Sequence, residues 1–150
     1  AITKCKAEEY IMDWENGICL RLATVFGSSP RMRTDLLVND FVYKTITEGC
    51  LVLFQSKFKR NYIHVRDIAY TFIHCIKNYD KLNGEVFNVG LSDANLNKME
   101  LATKIRAYFP KLVIIENEFS SDIDNRNYIV SNDKLENYES ISYRSYRFCR

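Results

Sequence analysis

Glycine and proline are scarce, five and two in 150 residues, which excludes collagen-like and low-complexity chains. The five cysteines (Cys5, Cys19, Cys50, Cys75 and Cys149) form no C-x-x-C pair, and only two histidines, His64 and His74, accompany them. That spacing disfavours a zinc knuckle, and no metal is expected. Cys19 and Cys75 lie inside the apolar stretches ICLRLATVF and TFIHCI, where a free cysteine acts as a small hydrophobe. Unpaired thiols fit a reducing, cytoplasmic compartment. No apolar run approaches the ~20 residues of a membrane span. The opening AITKCKAEEY lacks the basic-then-apolar order of a signal peptide. An excess of one charge is missing too: 21 basic against 19 acidic side chains leave +2. Neither a membrane nor a nucleic acid is therefore expected as partner.

What is present is a core. Hydrophobic residues make up 47% of the chain, with 10 Tyr and 9 Phe, enough for one folded domain. Ala7, Tyr10, Ile11 and Trp14 fall at helical spacing, so 1–15 reads as a helix with no N-cap residue before it. Ile18–Phe26 reads as one buried parallel strand. Thr34–Glu48 reads as a helix with Leu37, Phe41, Thr45 and Ile46 on one face and Gly49 at its C-terminal cap. Short strands follow at Leu51–Phe54 and Asn61–Val65. Asp67 is the expected N-cap of a helix over Ile68–Tyr79 that buries Ile68, Phe72, Ile73 and Ile76. After an Asn83-Gly84 turn, Glu85–Val89 reads as a strand. Asn97-x-x-Glu100 is a capping box for a helix stopped by Pro110. Leu112–Ile115 is a strand, and Tyr128–Val130 is a strand-like patch in a polar stretch. Strands alternating with helices place the chain in the α/β class.

Both ends are unusual. The headless first helix suggests a fragment. Ser140–Arg150 holds three Arg at spacing three and no acid, and without it 18 basic residues face 19 acidic ones.

Four motifs then occur in order: TKCKAE (Thr3–Glu8), RLATVFG (Arg21–Gly27), RNYIHVRD (Arg60–Asp67) and FNVG (Phe87–Gly90). Together they resemble the C-terminal half of extended short-chain dehydrogenases, in particular the NAD-dependent epimerase/dehydratase family acting on nucleotide sugars. DIDNRNYIVSNDK (Asp122–Lys134) resembles that family's substrate-closing loop. The implied fold is the C-terminal part of a Rossmann-like, doubly wound parallel sheet plus a smaller substrate-binding α/β region. Residues 1–30 would end the nucleotide-binding sheet, 31–136 would form mostly the substrate region, and 137–150 are a divergent tail. Relatives usually continue past Lys134 with Gly-aromatic-x-Pro and a last amphipathic helix, and this chain has neither.

The resemblance implies NAD as cofactor, a nucleotide-diphosphate sugar as substrate and a homodimeric parent enzyme. Lys4 matches the lysine of the family's Tyr-x-x-x-Lys pair, whose tyrosine would stand just before Ala1. It would lower the phenol's pKa, ordinarily ~10, and hold the nicotinamide ribose. Without the resemblance, Lys4 is a solvated helix-end residue. Ala23 is implied as a cofactor contact. Thr24 is either a sugar ligand or a plain β-former. Arg60 is implied as the diphosphate ligand, its guanidinium forking onto phosphate oxygens, with Lys57 and Lys59 adding field. Asn39 is either a sugar or phosphate contact or part of a polar face. Asp124 would accept from ribose hydroxyls and Arg126 would reach phosphate or base. His64 reads as a core histidine, and Asn88 as a turn former. The glycine-rich phosphate loop is absent, so the 150 residues alone are expected to be inactive. The alternative is a non-catalytic sugar-nucleotide-binding or interaction domain derived from the same family.

Overall fold

The computed structural model describes residues 2–14, 16–117 and 127–138. Helix α1 (Ile2–Asp13) stands where the first apolar pattern placed it, but it buries no side chain. It is tied down instead by Glu8, whose carboxylate accepts from Arg21 Nε at 2.8 Å and from a terminal guanidinium nitrogen at 2.5 Å.

The expected single strand over Ile18–Phe26 is two strands, β1 (Cys19–Leu22) and β2 (Thr24–Phe26), and only Cys19 is buried. The two halves pair with different neighbours. β1 runs parallel to β5 (Val86–Val89), and β2 runs parallel to β4 (Lys59–His64). Ala23 is the crossing point, its N–H donating to Val89 O at 2.9 Å. The far edge of β4 takes β6 (Asn95–Asn97) in antiparallel register, and β3 (Cys50–Phe54) pairs in parallel with β7 (Val113–Asn117). The α/β reading holds: parallel strands need long crossovers, and helices supply them.

β4 is the spine. Successive residues of a strand point to opposite faces. Tyr62 accordingly packs with Val38, Phe41, Leu53 and Leu101, while Ile63 packs with Ile68, Phe87, Val89 and Leu135.

Helix α2 (Leu37–Thr47) begins three residues later than its pattern suggested. Phe41 and Thr45 are buried with Val38 and Asn39, but Ile46 is exposed. Gly49 closes it at φ 68°. Helix α3 (Val65–Lys77) corrects two expectations. Its N-cap is His64, whose Nδ1 accepts from the Arg66 N–H at 3.2 Å, and Asp67 lies inside the first turn. Its buried stripe is Asp67, Ile68, Thr71 and Cys75, whereas Phe72, Ile73 and Ile76 face outward. A short helix α4 (Tyr79–Leu82) follows. Helix α5 (Lys98–Arg106) carries the full capping box between Asn97 and Glu100. Residues 128–130 form no strand; they are held by side chains, as described below. Helix α6 (Asp133–Glu136) docks on β5, where Lys134 Nζ donates to Glu85 at 2.6 Å and to Val86 O at 2.9 Å.

Candidate functional site

The parallel pairing of β2 with β4 brings two strand ends together, Phe26 opposite His64. In open α/β sheets, ligands sit beyond such carboxyl ends. The chain leaves β2 through Gly27 at φ 124°, a conformation that favours glycine. A Cβ there would lie 2.7 Å from His64 Nε2, so the imidazole rests directly against this turn. The His64 ring also meets Phe26 edge-on, with centroids 5.3 Å apart. Its Nδ1 accepts from a backbone N–H, so the neutral ring carries its proton on Nε2. Burial holds the imidazole below its ordinary pKa, against the opposing pull of Asp67. His64 thus has the backbone partner expected from its place in NYIHV, but it is half-buried rather than a core residue.

Asn39 belongs to the same turn. Its Oδ1 accepts from the Gly27 N–H at 3.1 Å, and its Nδ2 donates to Arg33 O at 2.9 Å. One buried amide thereby fixes both ends of the loop from Gly27 to Arg33. Thr24 starts β2 opposite Tyr62 and is half-buried. Gly27, Asn39 and His64 therefore come together around one strand end, with Thr24 at the other end of the same short strand. Ala23 lies one residue earlier, on the Val89 side. Lys4 is exposed in the first turn of α1, and among the described residues no hydrogen bond or ion pair joins it to Ala23 or Thr24. Asp124 and Arg126 lie outside the described residues.

Arg60 sits in the middle strand, 7% exposed, opposite Leu96 of β6. Lys57 beside it is exposed and Lys59 half-buried. The next residue, Asn61, is fully buried and clamps the chain after β5. Its Nδ2 donates to Leu91 O at 2.7 Å and its Oδ1 accepts from the Leu91 N–H at 3.1 Å. The clamp fits because Gly90 leaves room: a Cβ there would fall 1.9 Å from Asn61 Oδ1. This explains the glycine of FNVG. The neighbouring Asn88 donates to Ser131 O at 3.0 Å from within β5, so it ties a segment down rather than shaping a turn. The asparagine clamps escaped the sequence reading; the one available signal was an asparagine following the arginine of RNYIHVRD.

Asp67, like Lys98, is a further buried charge. It is fully buried, and neither carboxylate oxygen has a hydrogen-bond partner among the described residues. Burial pushes its pKa up, partly opposed by His64. Among the described residues no cluster of His, Cys, Asp and Glu could hold a metal ion, and no helix is long and apolar enough to cross a membrane.

The profile of the NAD dependent epimerase/dehydratase family matches residues 1–90. Among solved structures, the fold is similar to a UDP-glucuronic acid 4-epimerase from Bacillus cereus in complex with UDP-glucuronic acid and NAD. The TM-score is 0.73 at 17% identity, over 90% of this chain and 44% of that one. It is similar to a UDP-glucose 4-epimerase from Thermotoga maritima with UDP-glucose (TM-score 0.71, 20% identity, 90% and 45%). It is also similar to a dTDP-glucose 4,6-dehydratase from Bacillus anthracis in complex with NAD (TM-score 0.69, 19% identity, 87% and 42%). The chain spans less than half the length of each of these proteins.

Proposed function

The chain belongs to the NAD-dependent epimerase/dehydratase family, and from that premise we propose that it forms the sugar-nucleotide side of an enzyme that moves hydride between a sugar carbon and a nicotinamide through a ketone. The supporting observation is Arg60. A buried guanidinium on the central strand, in a basic stretch, suits the diphosphate of a nucleotide sugar.

The residues here fit one end of the cofactor only. Lys4 offers an exposed ammonium, and Ala23 offers a side chain small enough for a flat ring to approach the sheet crossing. The five glycines are at positions 17, 27, 49, 84 and 90, none at phosphate-loop spacing, so the cofactor pyrophosphate would be held by other residues. When bound, NAD supplies the hydride acceptor. Lys4 would hold the nicotinamide ribose and steady a phenolate that takes the sugar hydroxyl proton. Thr24 and the Gly27 turn would orient the sugar, and Asn39 would keep that turn in place. Asp124 and Arg126 would contribute to the nucleotide end.

Two measurements test this reading. The reading frame upstream of Ala1 is expected to encode a glycine-rich βα unit and to end in Tyr. In the complete product of the gene, Arg60→Ala should weaken nucleotide-sugar binding, measured by calorimetry. A hydrogen bond to a charged group is worth about 1.5–3 kcal/mol, so the loss should be roughly ten- to a hundredfold. Arg60→Lys should recover only part, because an ammonium lacks the fork. Lys57→Ala should act weakly and fade with salt. NAD affinity should be unchanged throughout; unaltered substrate affinity, or equal damage to NAD binding, would make Arg60 structural.

A further inference from the structure

Two asparagines face each other across β4 and β6. Asn61 and Asn95 are direct partners in the antiparallel register, one step from the Arg60–Leu96 pair. Each bonds both backbone groups of a single residue, and Asn95 Nδ2 also donates to Ser92 O at 3.3 Å. Asn61 clamps Leu91. Asn95 clamps Val130, donating from Nδ2 to Val130 O at 3.1 Å and accepting from the Val130 N–H at 3.0 Å. A side-chain amide suits this at neutral pH, because it carries a donor and an acceptor side by side.

The segment that Asn95 clamps reaches back to Lys59. The Lys59 N–H donates to Asn127 Oδ1 at 2.9 Å, and the Tyr128 N–H donates to Lys59 O at 3.1 Å. β2 pairs only with residues 62–64 of β4, and residues 127 and 128 satisfy the backbone of Lys59 in its place. Farther on, Ser131 O takes the Asn88 donor. Residues 127–131 thus form a strap laid over β4, β6 and β5, fastened at Lys59 just before Arg60, at Asn95 across from Asn61, and at Asn88.

We propose that this strap is a positioning element for Arg60, and that Asn95 is the positioning residue through which it acts. The inference rests on the reading of Arg60 as a diphosphate ligand. A bidentate guanidinium contact is worth most when the backbone beneath it is already fixed, since less order is lost on binding. The strap fixes the peptide before Arg60, and the Asn61 and Asn95 clamps fix the residues after and opposite.

A double-mutant cycle in the complete product of the gene tests this, with UDP-glucose and dTDP-glucose as probes and UMP and dTMP as controls lacking the second phosphate. Asn95→Asp keeps the acceptor for the Val130 N–H and turns the donor into a repulsive contact. It should weaken binding of the tighter probe about tenfold and leave its monophosphate within about twofold. In an Arg60→Ala background the same change should cost less than about twofold, because the residue it acts through is gone. Asn127→Ala, at an exposed position, should show the same non-additivity with a smaller effect, and it carries the test if Asn95→Asp does not fold. Equal losses in both backgrounds, or equal losses for the monophosphate, would make the strap merely structural and overturn the proposal. If neither probe binds, or Arg60→Ala itself leaves affinity intact, the reading of Arg60 fails first and the strap's role falls with it.

Discussion

At the scale of single residues, the most informative side chain is one whose expected role was wrong. Asp67 was expected to cap α3, since an aspartate before an apolar helix is a good start signal. His64 takes that place, and Asp67 is carried into the core with neither oxygen partnered among the described residues. This has a pH consequence whose sign follows from the direction of the shift. Burial raises the folded-state pKa above the unfolded value of ~3.9. Below that value both states are protonated and Asp67 is neutral in stability. As pH rises past it, the unfolded chain ionises first, and the folded state is progressively penalised. Asp67→Asn cannot ionise. Its advantage over the parent chain should therefore grow as pH climbs from about 4 towards 7, read as the difference between urea midpoints at several pH values. A difference that is constant with pH would show that the carboxyl finds a partner when ionised.

At the scale of elements, α5 shows what a local signal can do. Asn97 Oδ1 accepts from the Glu100 N–H at 2.8 Å, and the Glu100 carboxylate accepts from the Asn97 N–H at 2.8 Å. Asn97→Ala should cost about 1 kcal/mol of stability, measured by chemical denaturation, with Glu100→Gln costing less. This capping box was legible because both partners lie within four residues of each other. The split of β1 from β2 was not legible. ICLRLATVF reads as one apolar strand, and the break at Ala23 exists only because the halves pair with strands nearly seventy and nearly forty residues away. The face of α3 misled for a related reason. Phe72, Ile73 and Ile76 are the more apolar stripe, yet Asp67, Thr71 and Cys75 are the side chains the sheet covers. At the site, the family motifs pointed to Arg60 and to the turn after β2. Asn61 and Asn95 stayed hidden, because a clamp on a distant backbone leaves no periodicity behind.

At the scale of the whole molecule, much apolar surface is uncovered. On α1 and in the turn after it, Ile2, Tyr10 and Trp14 are each more than 70% exposed, and Phe72, Ile73 and Ile76 face outward from α3. Among the described residues β1 has a strand neighbour on one side only. With no glycine-rich turn to seat a pyrophosphate, the 150 residues alone should give no saturable micromolar NAD binding by calorimetry. Saturable binding would contradict the view that the cofactor is held mainly by other residues. An unpaired strand edge also offers a row of backbone donors and acceptors to any other chain, and exposed apolar faces strengthen such encounters. Expressed alone, the 150 residues should therefore associate in a concentration-dependent way, visible in light scattering and sedimentation. Leu22, 44% exposed at the end of β1, is the place to test the edge. A lysine there hinders edge pairing, so Leu22→Lys should reduce association while leaving the melting temperature close to that of the parent chain. Association unchanged by Leu22→Lys but relieved by Trp14→Glu would move the contact to α1 and the turn after it. A monodisperse monomer that melts cooperatively at every concentration would show that the exposed faces need no partner.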